Sequence, residues 1–162
     1  MKLLVTGGSG FIGSNFVRQQ ILHNKNSIIN LDKLTYAGNS DNLTSVENHT
    51  NYSFINGDIC DYKLLSSIFD NYQPDAVVHF AAESHVDRSI EEPMQFIKTN
   101  IVGTANLLEV STQYLSKSKH DSFKFLHVST DEVYGSLSNT GFFTEKNPYD
   151  PSSPYSASKA SS

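Results

Sequence analysis

A chain of 162 residues with 38% hydrophobic and 11% aromatic side chains has enough apolar material for one packed domain, and its 18% of charged residues is too low for a disordered one. The formal charge of −5 argues against a nucleic-acid partner, which would call for a basic face. The single cysteine, Cys60, excludes an internal disulfide and fits a reducing, cytoplasmic setting, and no apolar stretch reaches the length of a signal-peptide core or a membrane span.

Leu3 to Thr6 reads as a first strand that runs straight into glycines, and Phe11 to Leu22 carries apolar residues at helical spacing. Ser27 to Leu31 is a second strand ending at Asp32, and Tyr52 to Asn56 a third, followed by a helix over Tyr62 to Phe69. Ala76 to Phe80 forms a fourth strand, and a long helix runs from Pro93 to about Leu115. Gly103 inside that helix costs about 1 kcal/mol relative to alanine unless it allows close approach to the sheet. Phe123 to Val128 is a fifth strand, and Ser136 to Pro154, rich in Asn, Gly, Pro and Ser, a long surface loop. Pro154 suits the first turn of a last helix. Short strands alternating with helices predict an α/β fold: a Rossmann-type, doubly wound parallel sheet covered on both faces. In such sheets ligands bind at the carboxyl ends of the strands.

Candidate site residues fall at those ends. Gly7, Gly10 and Gly13 are spaced G-x-x-G-x-x-G, and Gly8, Gly10 and Gly13 also satisfy G-x-G-x-x-G. Either spacing lets a pyrophosphate approach the backbone at a helix amino terminus. Asp32, at the end of the second strand, can accept hydrogen bonds from an adenosine ribose and repel a 2′-phosphate, which favours NAD over NADP. Lys33 beside it argues the other way. Asp58 and Ile59 follow the third strand, as an adenine contact or as a plain helix cap. Tyr155 and Lys159, four apart, share one helical face, and an ammonium near a tyrosine makes it a usable proton acceptor at neutral pH. The adjacent Asp131 and Glu132 form either an acid/base pair or a solvated acidic turn. His79 and His127 lie in apolar runs and read as satisfied strand residues, whereas His23, His49 and His120 are scattered in polar surroundings. None has zinc-site spacing, so no metal is expected.

TGGSGFIG (Thr6 to Gly13), AAESHVDRSI (Ala81 to Ile90) and YSASK (Tyr155 to Lys159) together resemble the extended short-chain dehydrogenase/reductase family. Within it, NLDKLTYAGN (Asn30 to Asn39) and STDEVYG (Ser129 to Gly135) are similar to enzymes that dehydrate nucleotide-linked hexoses. The resemblance implies NAD as cofactor and a nucleotide-sugar substrate. It implies that NAD is lined by Phe11, Ile12, Asp32, Lys33, Leu34, Thr35, Asp58, Ile59, Phe80, Ala81, Ala82, Glu83, Ser84, Thr99, Tyr155 and Lys159, and that Ser84 and Thr130 touch the sugar. Tyr155, assisted by Lys159, would take the proton of the 4-hydroxyl, with Thr130 bonded to that oxygen. Glu132 would abstract the proton on carbon 5 and Asp131 would protonate the departing 6-hydroxyl. Arg88 is either a pyrophosphate ligand or a structural ion-pair partner. A dehydratase of the same family acting on UDP-glucose, a 4-epimerase of the family and a non-catalytic NAD-binding module are the competing readings. Family members are about twice as long, dimeric, and carry a carboxyl-terminal substrate domain. Residues 1–162 are therefore expected to be a truncated NAD-binding domain with an incomplete sheet and little activity by itself. Supply of a deoxysugar such as rhamnose is implied by the resemblance alone.

Overall fold

In the structure of the chain, a computed structural model that describes residues 1–117, 122–137 and 140–162, each of the five strand segments named above is a β-strand. His120 lies outside the described residues. In chain order the elements are β1 (Lys2–Thr6), α1 (Phe11–Leu22), β2 (Ser27–Asp32), a 3₁₀ turn (Ser40–Leu43), β3 (Tyr52–Asn56), α2 (Tyr62–Tyr72), β4 (Ala76–His79), α3 (Val86–Glu91) and α4 (Pro93–Phe96). A π-helical segment (Ile97–Gly103), α5 (Thr104–Lys117), β5 (Lys124–His127), a second 3₁₀ turn (Asp131–Tyr134) and α6 (Pro154–Ser161) follow. Three features depart from the sequence expectation: α3, the two 3₁₀ turns, and the π-helical widening of the long helix, which ends at the buried Gly103.

The chain divides into two compact units, Met1–Ala81 with Asn106–Val128, and Ala82–Ala105 with Ser129–Ser162. The first holds an all-parallel five-stranded sheet in the order β3-β2-β1-β4-β5. Its central strands are largely apolar because both faces are covered. Leu4, Ile29, Leu31 and Val77 pack with Leu65, Ile68 and Phe69 of α2 and Leu107 and Val110 of α5. Leu3, Val5, Ile28 and Val78 pack with Val17 and Ile21 of α1 and with Leu43 and Val46. Burial of each such side chain contributes about 1.5–3 kcal/mol before the entropy of ordering is counted. The register places Thr6 beside Leu31 and His79, Asp32 beside Asn56, and His79 beside His127, so the segments after β1, β2, β3 and β4 leave the sheet at one end.

The second unit is built around α6, which packs on α3, α4, the π-helical segment and the Asp131–Tyr134 turn. A helix of eight residues is marginal in water by itself. Here Pro154 occupies its first turn, and Ser153 and Ser156 form a reciprocal capping box that satisfies its first amides. The fully buried Phe96 meets Tyr155 edge-on, with ring centroids 6.4 Å apart. Among the described residues no helix is long and apolar enough to cross a membrane.

Candidate functional site

The glycine loop is shaped by what presses against it. Gly7 has φ +72°, and a Cβ there would lie 2.6 Å from the Ala81 amide nitrogen. A Cβ on Gly13 would collide with the Gly7 carbonyl oxygen, so α1 can leave the loop this closely only from a glycine. Gly10 differs: a Cβ there would meet nothing in the protein nearer than 3.5 Å, which leaves that side of the loop open. No side chain caps the amino terminus of α1 and no acidic residue sits in its first turn, while Phe11 and Ile12 are 85% and 62% exposed. An open glycine, an uncapped helix start and an absence of negative charge in that turn are what a pyrophosphate requires.

Asp32 is buried, and both its oxygens already work for the protein. One accepts the Ser9 amide at 2.8 Å and the other the Leu34 amide at 2.9 Å. Each keeps a second lone pair for a ribose hydroxyl. Ser9 is held at every polar group, since its hydroxyl accepts from Asn30 and its carbonyl accepts from the Asn39 amide and the Asn42 side chain. Leu34 sits at φ +55°, an unusual conformation for a bulky side chain and one that accumulates at binding sites. Lys33 is turned to Asp58, with Nζ 2.8 Å from its Oδ2, and half-buried Thr35 follows Leu34.

Asp58 also accepts the Cys60 amide at 2.9 Å. Burial alone would push its carboxyl up, but the Lys33 ammonium and the Cys60 amide outweigh it and hold the group below the usual carboxylate range. The cap of α2 is Asp61, which accepts the Leu64 amide at 3.0 Å. Ile59 is buried in the cluster beneath α2 and α5. His79 is satisfied, its Nδ1 lying 2.6 Å from the Thr6 hydroxyl, and the His127 ring lies near it, tilted by 42° with centroids 5.1 Å apart. Phe80 and Ala81, both half-buried, complete this end of the first unit.

In the second unit Thr130 caps the Asp131–Tyr134 turn, its hydroxyl accepting the Glu132 amide at 3.3 Å. That turn places Thr130, Asp131 and Glu132 together, with both carboxylates exposed, and α6 packs against it carrying Tyr155 and Lys159. Both α6 residues are buried, and burial pushes the Lys159 ammonium down from 10.5 to about 8. Ala82 is half-buried, Glu83 buried and Ser84 exposed; Thr99 is half-buried on the π-helical segment and Arg88 exposed on α3. Among the described residues no group of three or more His, Cys, Asp or Glu is placed to hold a metal ion.

Asn100 is the residue that sequence reasoning missed. Its Oδ1 accepts the Glu83 amide at 2.8 Å, and its Nδ2 donates to the Glu83 carbonyl at 2.9 Å and to the Ser158 hydroxyl at 2.8 Å. A single buried amide thus ties the loop bearing Ser84 to the helix bearing Tyr155 and Lys159, from a π-helical widening of a kind that concentrates at functional sites. The only signal in the sequence is a polar residue at a position that the helical periodicity buries.

Residues 4–162 match the family model described as GDP-mannose 4,6 dehydratase. The dTDP-glucose 4,6-dehydratase of Haemophilus influenzae is 57% identical across the whole chain, which covers 49% of that protein. A dTDP-glucose 4,6-dehydratase of Streptomyces venezuelae, solved with NAD bound, superposes with a TM-score of 0.91 at 48% identity, over 99% of this chain and 49% of that one. The UDP-glucose 4-epimerase of Thermotoga maritima superposes with a TM-score of 0.86 at 36% identity, over 99% and 48% respectively. The chain spans about half the length of the curated relatives it matches.

Proposed function

The chain belongs to the GDP-mannose 4,6 dehydratase family, and on that premise we propose that it carries the NAD-binding and catalytic residues for dehydrating dTDP-glucose to dTDP-4-keto-6-deoxyglucose. The observation that carries the reading is the second unit's pairing of the Thr130-Asp131-Glu132 turn with the helix bearing Tyr155 and Lys159. The dTDP-glucose dehydratases above support it over the epimerase, which is less similar in sequence.

The first unit fits NAD. The loop at Gly7, Gly10 and Gly13, with the start of α1 at Phe11 and Ile12, takes the pyrophosphate, and Asp32 takes the adenosine ribose. When bound, NAD⁺ supplies a hydride acceptor for carbon 4 of the sugar and, once reduced, a donor for carbon 6. Tyr155 removes the proton of the 4-hydroxyl, and the neighbouring Lys159 ammonium favours its phenolate. Thr130 donates to the same oxygen. Oxidation at carbon 4 acidifies the proton on carbon 5, which Glu132 abstracts as base. Asp131 delivers a proton to the 6-hydroxyl as it leaves as water.

Relatives are about twice as long, so we further read residues 1–162 as the NAD-binding domain of a protein whose remaining half grips the nucleotide of the substrate. By themselves these residues are expected to bind NAD weakly and turn over little. A homodimer is supported by Ile90, Met94, Ile97 and Val102, apolar residues of the second unit that are 39–69% exposed. A cytoplasmic setting is supported by the single cysteine, and a place in deoxysugar supply by the chemistry of the product. The test is mass spectrometry of dTDP-glucose incubated with NAD⁺ and the chain extended by a relative's remaining half. Loss of one water is expected. Conversion to the 4-epimer without mass change would replace the reading with epimerisation, and UDP-glucose consumed in preference would correct the nucleotide.

A further inference from the structure

Lys33 and Asp58 leave the ends of neighbouring strands, β2 and β3, and their side chains close on each other at 2.8 Å. The Lys33 side chain is 48% exposed and that of Asp58 26%. Ion pairs this open to water add little to stability. The consequence of this pair lies in where its charges sit. Lys33 directly follows Asp32, the carboxylate placed to read the ribose, so its ammonium is the cation nearest in sequence to the 2′ position of a bound adenosine. NADP differs from NAD there by a phosphate of nearly two negative charges, and sites that accept it offer a cation to that group.

We propose that the Lys33–Asp58 ion pair is a specificity element: by engaging the Lys33 ammonium, Asp58 denies a cationic seat to a 2′-phosphate and turns the site toward NAD and away from NADP. The inference rests on the dinucleotide reading of the first unit and deepens it. Asp32 rejects the phosphate by direct repulsion; Asp58 does so by occupying the one neighbour in sequence that would offset that repulsion. Asp58 is also anchored by the Cys60 amide, so it reaches Lys33 from a fixed position rather than as a drifting counter-ion. The Asp32, Lys33 and Asp58 side chains together carry net negative charge, and removing the charge of Asp58 neutralises the set.

The variant Asp58→Asn keeps an oxygen for the Cys60 amide while removing the carboxylate that pairs with Lys33. Binding of NAD⁺ and NADP⁺ to the 162-residue chain is to be measured by isothermal titration at low salt, for the parent, Asp58→Asn, Lys33→Ala and the double variant. An adenine contact by Asp58 would change both affinities alike, so the quantity read is their ratio. The expected result is a rise of about tenfold in relative affinity for NADP⁺ in Asp58→Asn, the size of one charge-assisted hydrogen bond to the 2′-phosphate. The rise should be absent in Lys33→Ala and abolished in the double variant, and it should shrink as salt screens the exposed charges. NAD⁺ binding with an unchanged ratio in Asp58→Asn would overturn the inference and leave the dinucleotide reading standing. A rise that survives in the double variant would also overturn it, since Lys33 would then not be the seat. A parent chain that binds neither cofactor would overturn the dinucleotide reading, and the inference with it.

Discussion

The glycine loop of the first unit and the acidic turn of the second are both short segments that follow a β-strand, yet they are held in opposite ways. Around the loop, Ser9 is bonded at its amide, carbonyl and hydroxyl, Asp32 spends both oxygens on backbone amides, and the Gly13 position admits no Cβ. Around the turn, the Thr130 hydroxyl accepts the Glu132 amide at 3.3 Å and donates to Asp131 Oδ1 at 3.4 Å, and the Asp131 and Glu132 carboxylates stand exposed. On the proposed function, the difference separates two tasks. A cofactor that stays bound through a whole reaction is served by a cradle formed in advance. Acid/base carboxylates must meet a substrate that comes and goes, and their final positions depend on it. The anchoring in the second unit is placed one step back, on Asn100, Phe96 and the capping box of α6.

If the tasks divide this way, changes in the two regions should fail differently. The largest effect is expected from Tyr155→Phe, which removes the proposed proton acceptor without changing the shape of α6. Turnover of the chain extended by a relative's remaining half should fall about 10²–10⁴-fold by mass-spectrometric assay, with the melting temperature little changed. Next is Gly13→Ala, which forces a methyl onto the Gly7 carbonyl. A loss of about 1–3 kcal/mol by chemical denaturation is expected, with weakened NAD binding. Ser153→Ala removes the cap of α6 and should cost about 1 kcal/mol by the same measurement, leaving NAD affinity at the first unit unaltered.

A pH dependence tests the second unit without touching the first. Burial holds Lys159 at about 8 when folded against 10.5 unperturbed, so between those values the unfolded chain binds the extra proton and stability rises with pH. Below about 8 both states are charged and the full cost of burying the ammonium is present. Urea denaturation at about pH 8 and pH 10 should show a gain at the higher pH that is missing in Lys159→Met. An equal gain in both proteins would show that Lys159 is hydrated in the folded chain.

The sheet was legible because its central strands are apolar on both faces and its first turn is glycine-bound. Leu3 to Val5 and Ala76 to Val78 are runs that a covered parallel sheet accommodates. The candidate residues were named by type, by spacing within each motif and by resemblance, and the structure packs the helix of Tyr155 and Lys159 against the turn of Asp131 and Glu132. What was not legible depends on partners distant in sequence. Helix α3, VDRSIE, is too short and polar to show periodicity. The role of Asn100 exists only because Glu83 and Ser158 come to it. Lys33 in isolation pointed toward a 2′-phosphate, and only the pairing of β2 with β3 supplied Asp58 to answer it. The depressed titration of Lys159 is likewise a product of burial, which its position in YSASK does not reveal.

The measurement that tests the division most directly is isothermal titration of NAD⁺ into the 162-residue chain, its Asp32→Ala variant and its Tyr155→Phe variant. The account predicts weak but measurable binding to the parent, an affinity for Tyr155→Phe within about threefold of it, and loss of at least about tenfold in Asp32→Ala, whose carboxylate holds the Ser9 and Leu34 amides and is the proposed ribose acceptor. Equal losses in the two variants, or no binding by the parent, would contradict a cradle formed in advance in the first unit.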